Sequence, residues 1–346
     1  MNMQNRMLSQ GPLHRADGVL SETGFALAPI KDYDRRRLKA PRHRIKEWDD
    51  CLVMNAHCAL GIRVSDEGWI GLDSLSFIDF ETLSQRSQSR RIWLPLGKRS
   101  LPASSQTGVT RAVGYNYEFT FRAEGSQRQL YGHMYDFGGE RQPLLFDIIL
   151  EEPRQDSMVI VTPFENKPHQ FFYNRKINCL PAEGRVIWQD REYIFSPAAS
   201  FGTLSWGRGV WPHLAGWYWA SASGIIAGRA FGLSLGHGFG DTSRATENML
   251  FYGGIASKLS QVAFEAPEAN GQKDYLAPWQ IQDDAGRLSL TFNPILDQAI
   301  QNKTGPLITK RHRVFGRFSG HALLDDGTRL EIRELQGFIE KAKNRW

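Results

Sequence analysis

Four of the ten tryptophans in this 346-residue chain fall in one stretch, SWGRGVWPHLAGWYWASASG, from Ser205 to Gly224: Trp206, Trp211, Trp217 and Trp219. Indoles at this density either fill a core, because Trp buries more area than other side chains, or line a cavity for an apolar or cationic guest. Arg208 stands between Gly207 and Gly209 in the same stretch. A guanidinium there stacks on an indole or forks onto a carboxylate, and Asp241 or Glu247 would serve as its partner. As a ligand contact it would hold a carboxylate or phosphate head group.

The segment GLSLGHGFGD alternates Gly232, Ser234, Gly236, Gly238 and Gly240 with Leu233, Leu235, His237, Phe239 and Asp241, so one face of the predicted strand carries nothing larger than serine. Glycine inside a strand costs about 0.5–1 kcal/mol relative to alanine. Either something packs directly on the bare backbone or the sheet coils tightly there. The packed object is the tryptophan cluster, or else a flat apolar ligand held by Gly236, Gly238, Phe239 and the indoles. Polar residues follow from Asp241 to Asn248, as on the rim loop of a barrel. Asp241 and Glu247 are the candidate acids there, and His237 is a third candidate. His237 and Asp241 share a face, but four strand residues separate them by about 13 Å, so they form no direct dyad.

Other chemistries lack their signatures. The GxGxG spacing is not a dinucleotide fingerprint, and no helix follows it. The histidines show neither HxH nor HExxH spacing, so no metal is assigned. Ser221 and Ser223 lack a GxSxG elbow. No cofactor is called for.

These side chains need a scaffold, and its signals are those of strands. Turn chemistry at Asp66-Glu67-Gly68, Ala182-Glu183-Gly184, Tyr252-Gly253-Gly254, Asp283-Asp284-Ala285-Gly286 and Asp325-Asp326-Gly327 separates runs rich in Val, Ile, Phe, Tyr and Trp. In Arg287 to Phe292, Leu288, Leu290 and Phe292 share one face, as in a half-buried antiparallel strand. Leu335, Phe338, Ile339 and Ala342 recur at helical spacing and predict a C-terminal helix; Pro294 to Gln301 gives a second helical segment. The class is therefore all-β with a C-terminal helix, organised as a basic arm over 1–40, a β domain over 41–180 and a second over 181–346.

An apolar fraction of 41%, a charged fraction of 23% and a net charge of +5 are ordinary for a globular chain. The basic cluster over residues 32–46 implies no nucleic-acid partner, and leaves peripheral membrane contact open. No stretch is long and apolar enough to span a membrane as a helix, and the N-terminus has no signal-type apolar core. Cys51, Cys58 and Cys179 sit among apolar neighbours without CxxC spacing, as buried thiols of a reducing compartment do. A cytoplasmic location follows.

WGRGVWPHLAGWYWASASG, with GLSLGHGFGDTSRATEN after it, resembles the signature of a bacterial family of domains of unknown function numbered 2804. The likeness extends from KEWDDCLVMNAHCALGIRVSDEGWIGLDSLSFIDFET through LPAEGRVIWQDREYIFSP to DDGTRLEIRELQGFIEKAKNRW. That family is distantly similar to the lipocalin-like proteins that include tocopherol cyclase and the carotenoid hydratases, whose W-G-x-x-F-P-x-x-W-x-W pattern Trp206, Gly207, Trp211, Pro212, Trp217 and Trp219 follow in type with longer spacings. The resemblance implies two barrel-like β domains and a hydrophobic small-molecule ligand of lipid, isoprenoid or fatty acyl type. Binding of such a molecule is the first functional expectation. Cofactor-independent hydration, cyclisation or isomerisation by acid catalysis, with indoles stabilising a carbocation, is the second. A structural or partner-binding protein with filled barrels is the third. The oligomeric state is not legible.

Overall fold

The computed structural model describes residues 4–345 apart from 140, 166, 270 and 306. Its architecture is all-β, two curled half-barrel sheets built almost wholly from antiparallel pairs. The first sheet has 13 strands. Its main path runs Ser84–Trp93, Ile70–Asp79, Cys58–Asp66, Ile45–Met54, Phe201–Val210, Lys167–Trp188, Leu144–Glu151, Gln127–Met134, Tyr117–Glu124 and Gly108–Gly114. The second has nine, in the order Ile255–Lys258, Met249–Tyr252, Arg229–His237, Leu214–Ile226, Arg329–Arg345, Leu307–Leu323, Leu288–Thr304, Trp279–Asp283 and Val262–Glu265. Trp211–His213 carries the chain from one sheet to the other. Gly24–Ala26, from the basic N-terminal region, adds an edge strand beside Met158–Phe164.

Four of the five expected turns connect neighbouring strands; the fifth, Ala182-Glu183-Gly184, lies inside the 22-residue strand Lys167–Trp188. The expected C-terminal helix is a strand. Arg329–Arg345 pairs with Leu307–Leu323 on one side and Leu214–Ile226 on the other. Leu335 and Ile339 face the interior of the second sheet, whereas Phe338 belongs to the layer where the two sheets meet. A strand buried on both faces loses the apolar-polar alternation that identifies strands, and an irregularity near Glu334, whose φ is +50°, shifts its parity as well. The result imitates a 3–4 repeat. Pro294 to Gln301 is likewise strand, with a register shift between Pro294 and Leu296.

Three packed layers result. Phe77, Phe119, Phe146, Trp188 and Trp206 belong to the interior of the first sheet, and Leu233, Leu235, Trp279, Phe292 and Phe318 to that of the second. Between the sheets lie Trp48, Phe172, Trp211, Phe239 and Met249, with Leu52, Trp219, Phe315 and Phe338 alongside. The glycine-rich face of Arg229–His237 packs against the first sheet at this junction. Asn178 donates to Ser221 Oγ at 2.8 Å and to the Leu233 carbonyl at 3.0 Å, and the Cys179 N–H donates to Ser223 Oγ at 3.0 Å. The bare backbone therefore receives a neighbouring strand. The glycine-rich strand Arg229–His237 also ends earlier than its alternation suggests, because Gly238 and Gly240 adopt φ of +85° and +75° and turn the chain.

Candidate functional site

Where the two sheets face each other they leave a cleft of about 490 Å³, counting space open to solvent. Strand parity decides which residues reach it. In Ile45–Met54, Trp48 and Asp50 point into the cleft, whereas Asp49 and Cys51 line a separate cavity inside the first sheet. In Phe201–Val210, Ser205 points into the cleft and Trp206 away from it. Gly207 follows the parity of Ser205, and a Cβ there would overlap the Trp48 indole. The glycine thus provides the space in which that ring lies.

One wall is aromatic. Trp211 meets Trp48 edge-on at 5.1 Å between centroids, Trp217 at 5.8 Å and Phe239 at 4.7 Å, and Phe172 stacks on Trp48 at 6.1 Å. Trp219 continues this wall two residues beyond Trp217, on the same strand face, as period-2 alternation requires. Its indole N–H is buried and has no hydrogen-bond acceptor among the described residues.

The remainder of the lining is charged. Arg313 holds Glu340 through two nitrogens, Nε at 3.0 Å and Nη2 at 2.8 Å, and approaches Asp50 at 3.6 Å. Arg63 lies 3.4 Å from Asp50 and 2.9 Å from Glu67. Trp217 donates its indole N–H to Glu340 Oε1 at 3.1 Å. Burial alone would raise the Glu340 carboxyl, but Arg313, Arg311 and Arg63 outweigh it and hold that group at about 2. Lys176 pairs with Glu247 at 2.8 Å and places its ammonium 4.5 Å from the centre of the Trp219 ring. Glu247 fits because position 236 is glycine: a Cβ there would sit 2.6 Å from Glu247 Oε2. No described residue hydrogen-bonds that second carboxylate oxygen. Among the described residues, no three His, Cys, Asp or Glu side chains are grouped to hold a metal ion.

The cleft brings together Trp211, Trp217, Trp219, Phe239 and Glu247 from the sequence-derived candidates, with Gly236 behind Glu247. Others lie elsewhere. Trp206 packs in the first sheet against Tyr33 and Tyr173. Arg208 is fully buried, 4.2 Å from the Trp206 ring centre, and pairs with Asp49 at 3.1 Å instead of Asp241 or Glu247. It also donates to the carbonyls of Trp48 and Pro102, both at 2.7 Å, so it clamps the strand to its neighbours. His237 is exposed at a strand end and borders an outer surface depression. Asp241 caps its own turn by accepting from the Ser243 N–H at 3.0 Å, and hydrogen bonds from Ser243 lower its pKa. Gly238 forms the adjoining turn, outside the lining.

Sequence reasoning missed Trp48, Asp50, Arg63, Lys176, Arg313 and Glu340. The available signal was charge at alternate positions inside long apolar strands, as in Arg311 and Arg313 or Lys46 and Asp50.

The chain belongs to the family described as a domain of unknown function, DUF2804, whose profile matches residues 4–346. No curated protein sequence matches it significantly. Among solved structures it is similar to kievitone hydratase from Nectria haematococca, with 12% identity and a TM-score of 0.51 over 87% of this chain and 88% of that one. An AttH-like protein from Nitrosomonas europaea aligns at 13% identity and a TM-score of 0.49, over 91% and 98% of the two chains. The first of these likenesses is one of fold.

Proposed function

We propose that the cleft between the sheets binds a small molecule with an apolar body and a polar end. The observation that carries this reading is the meeting of Trp48, Phe172, Trp211, Trp217, Trp219 and Phe239 with the buried charges Asp50, Lys176, Glu247, Arg313 and Glu340 and the half-buried Arg63 across one open space. A contact that served only to hold two sheets together would be more stable with apolar residues in place of those charges, since desolvating ions costs several kcal/mol each. The unpartnered Trp219 N–H adds a donor waiting for an acceptor. A hydratase on the same fold, kievitone hydratase, supports a small organic ligand. A lipid, isoprenoid or fatty acyl chain suits the indole wall.

Turnover is a second reading, favoured by Glu247. Glu247 lines the cleft, and Lys176 holds its Oε1 while no described residue hydrogen-bonds Oε2. A carboxylate so placed accepts a proton from water or from an acidic carbon, and the adjacent ammonium supplies one in return. Asp241 and His237 are not placed to share this work.

The test is retention of an apolar molecule through purification, measured by solvent extraction, in the wild-type protein and in Trp217→Ala and Trp219→Ala variants shown to be folded by circular dichroism. Retention falls in both variants if the cleft is the site, and undiminished retention in both refutes it. For turnover, Glu247→Gln keeps the ligand but abolishes incorporation of deuterium from heavy water into it. Unchanged incorporation removes Glu247 from the chemistry.

A further inference from the structure

We propose that the polar end of the ligand is an anion, a carboxylate or phosphate, seated on Arg311 with Arg63 and Arg91 in the outer part of the cleft; this rests on the cleft being a ligand site. The aromatic space continues into a second one of about 1,020 Å³, counting space open to solvent, and Arg63, Trp211, Trp217 and Glu340 line both. A single molecule lying along Trp211 and Trp217 therefore spans the two.

Among the described residues, the outer space leaves Arg311 short of an acceptor. Lys46, Arg63, Arg91 and Arg311 line it with Glu67 and Glu340, and Lys46 is engaged, its ammonium donating to the Glu67 carbonyl. The carboxylates are also already engaged. Glu67 takes Arg63 at 2.9 Å, and Glu340 takes two nitrogens of Arg313 and the Trp217 N–H. Arg311 is left with an approach to Glu340 of 3.8 Å, beyond hydrogen-bond distance, and its buried Nε has no hydrogen-bond partner among the described residues. A half-buried guanidinium without a bidentate acceptor is unusual, because this group is matched in shape and charge to carboxylate and phosphate oxygens.

Position along the strands supports the division. Leu307, Thr309 and Arg311 face the outer space and Arg313 the aromatic one, at period-2 spacing on one strand. From the opposite sheet, Ser89 and Arg91 reach the same space from the edge strand Ser84–Trp93. Burial also lowers the Arg311 pKa to about 10, Glu340 opposing the drop and Arg313 and Arg63 adding to it, so the group remains a cation at neutral pH and gains from an anion beside it.

The experiment compares two fluorescent probes with a similar aromatic body, the anionic 1-anilinonaphthalene-8-sulfonate and the neutral N-phenyl-1-naphthylamine, on the whole chain. Arg311→Gln is expected to weaken the sulfonate about tenfold or more while leaving the neutral probe within about twofold, and Arg91→Gln, at an exposed site, to weaken the sulfonate less. Trp217→Ala weakens both probes. Displacement of the sulfonate by laurate or by dodecyl phosphate then tells which oxyanion the seat prefers. If Trp217→Ala weakens both probes but neither arginine variant separates them, the anion seat is refuted and the cleft stands. If Trp217→Ala changes neither probe, or neither binds, the cleft reading falls and the seat with it.

Discussion

Removing the Glu340 charge takes the carboxylate away from Arg313 and Arg311 in the space between the sheets. Its carboxylate accepts from Arg313 at 2.8 and 3.0 Å and lies 3.8 Å from Arg311, and its side chain is only 6% exposed. Glu340→Gln keeps the shape and an acceptor for Trp217 while discarding the charge. The fall from an ordinary 4.5 to about 2 corresponds to about 3 kcal/mol of stability. Loss of one partner from a buried ion pair costs about 3–5 kcal/mol by mutational experience, so the two routes agree. The sign follows from the depressed folded-state value: the contribution is complete above about 4.5 and disappears as pH falls toward about 2. Urea unfolding followed by tryptophan fluorescence should show the variant less stable by about 3 kcal/mol at pH 7, the gap narrowing to about 2 kcal/mol at pH 3.5. A loss below about 1 kcal/mol, or a gap that does not change with pH, would refute the claim that Glu340 anchors this charge network.

Two further changes probe the packing around the site. Gly207→Ala drives a methyl into the Trp48 indole and is expected to cost about 1–3 kcal/mol in urea unfolding, with a shift in tryptophan emission; a neutral outcome would mean that the ring has room to move. Cys51, Cys58 and Cys179 are buried, and burial raises each thiol pKa, so a disulfide reagent should label none of the three in the native protein and all of them in guanidinium. Rapid native labelling of any one would contradict its placement.

The tryptophan wall was legible because alternation survives in Leu214–Ile226: Trp217 and Trp219 share a face, as their spacing requires. Trp206 and Arg208 were grouped with them by closeness in sequence, yet they sit on the opposite face of Phe201–Val210, on the far side of the Trp211-Pro212 crossing between sheets. Sequence proximity across such a crossing carries no information about facing. The charged wall was hidden for a different reason. Glu340 falls in a strand whose two faces are both buried, so its pattern imitates a helix and the carboxylate reads as the polar side of one. Asp50 and Arg63 are cross-strand partners of one hairpin, but Arg313 comes from a distant strand of the other sheet, and only the meeting of the two sheets brings it to 3.6 Å from Asp50. The glycine face of Arg229–His237 was read as receiving the tryptophan cluster or a flat ligand; what packs there at Gly232 is the strand carrying Asn178 and Cys179, which has no local signature.

Native mass spectrometry of the purified chain, followed by solvent extraction, tests the binding cleft most directly. The expected result is one apolar molecule per chain carrying an acidic group, lost in Trp217→Ala. A wild-type protein that leaves the cell empty, and that neither aromatic probe enters, would contradict a ligand site between the sheets.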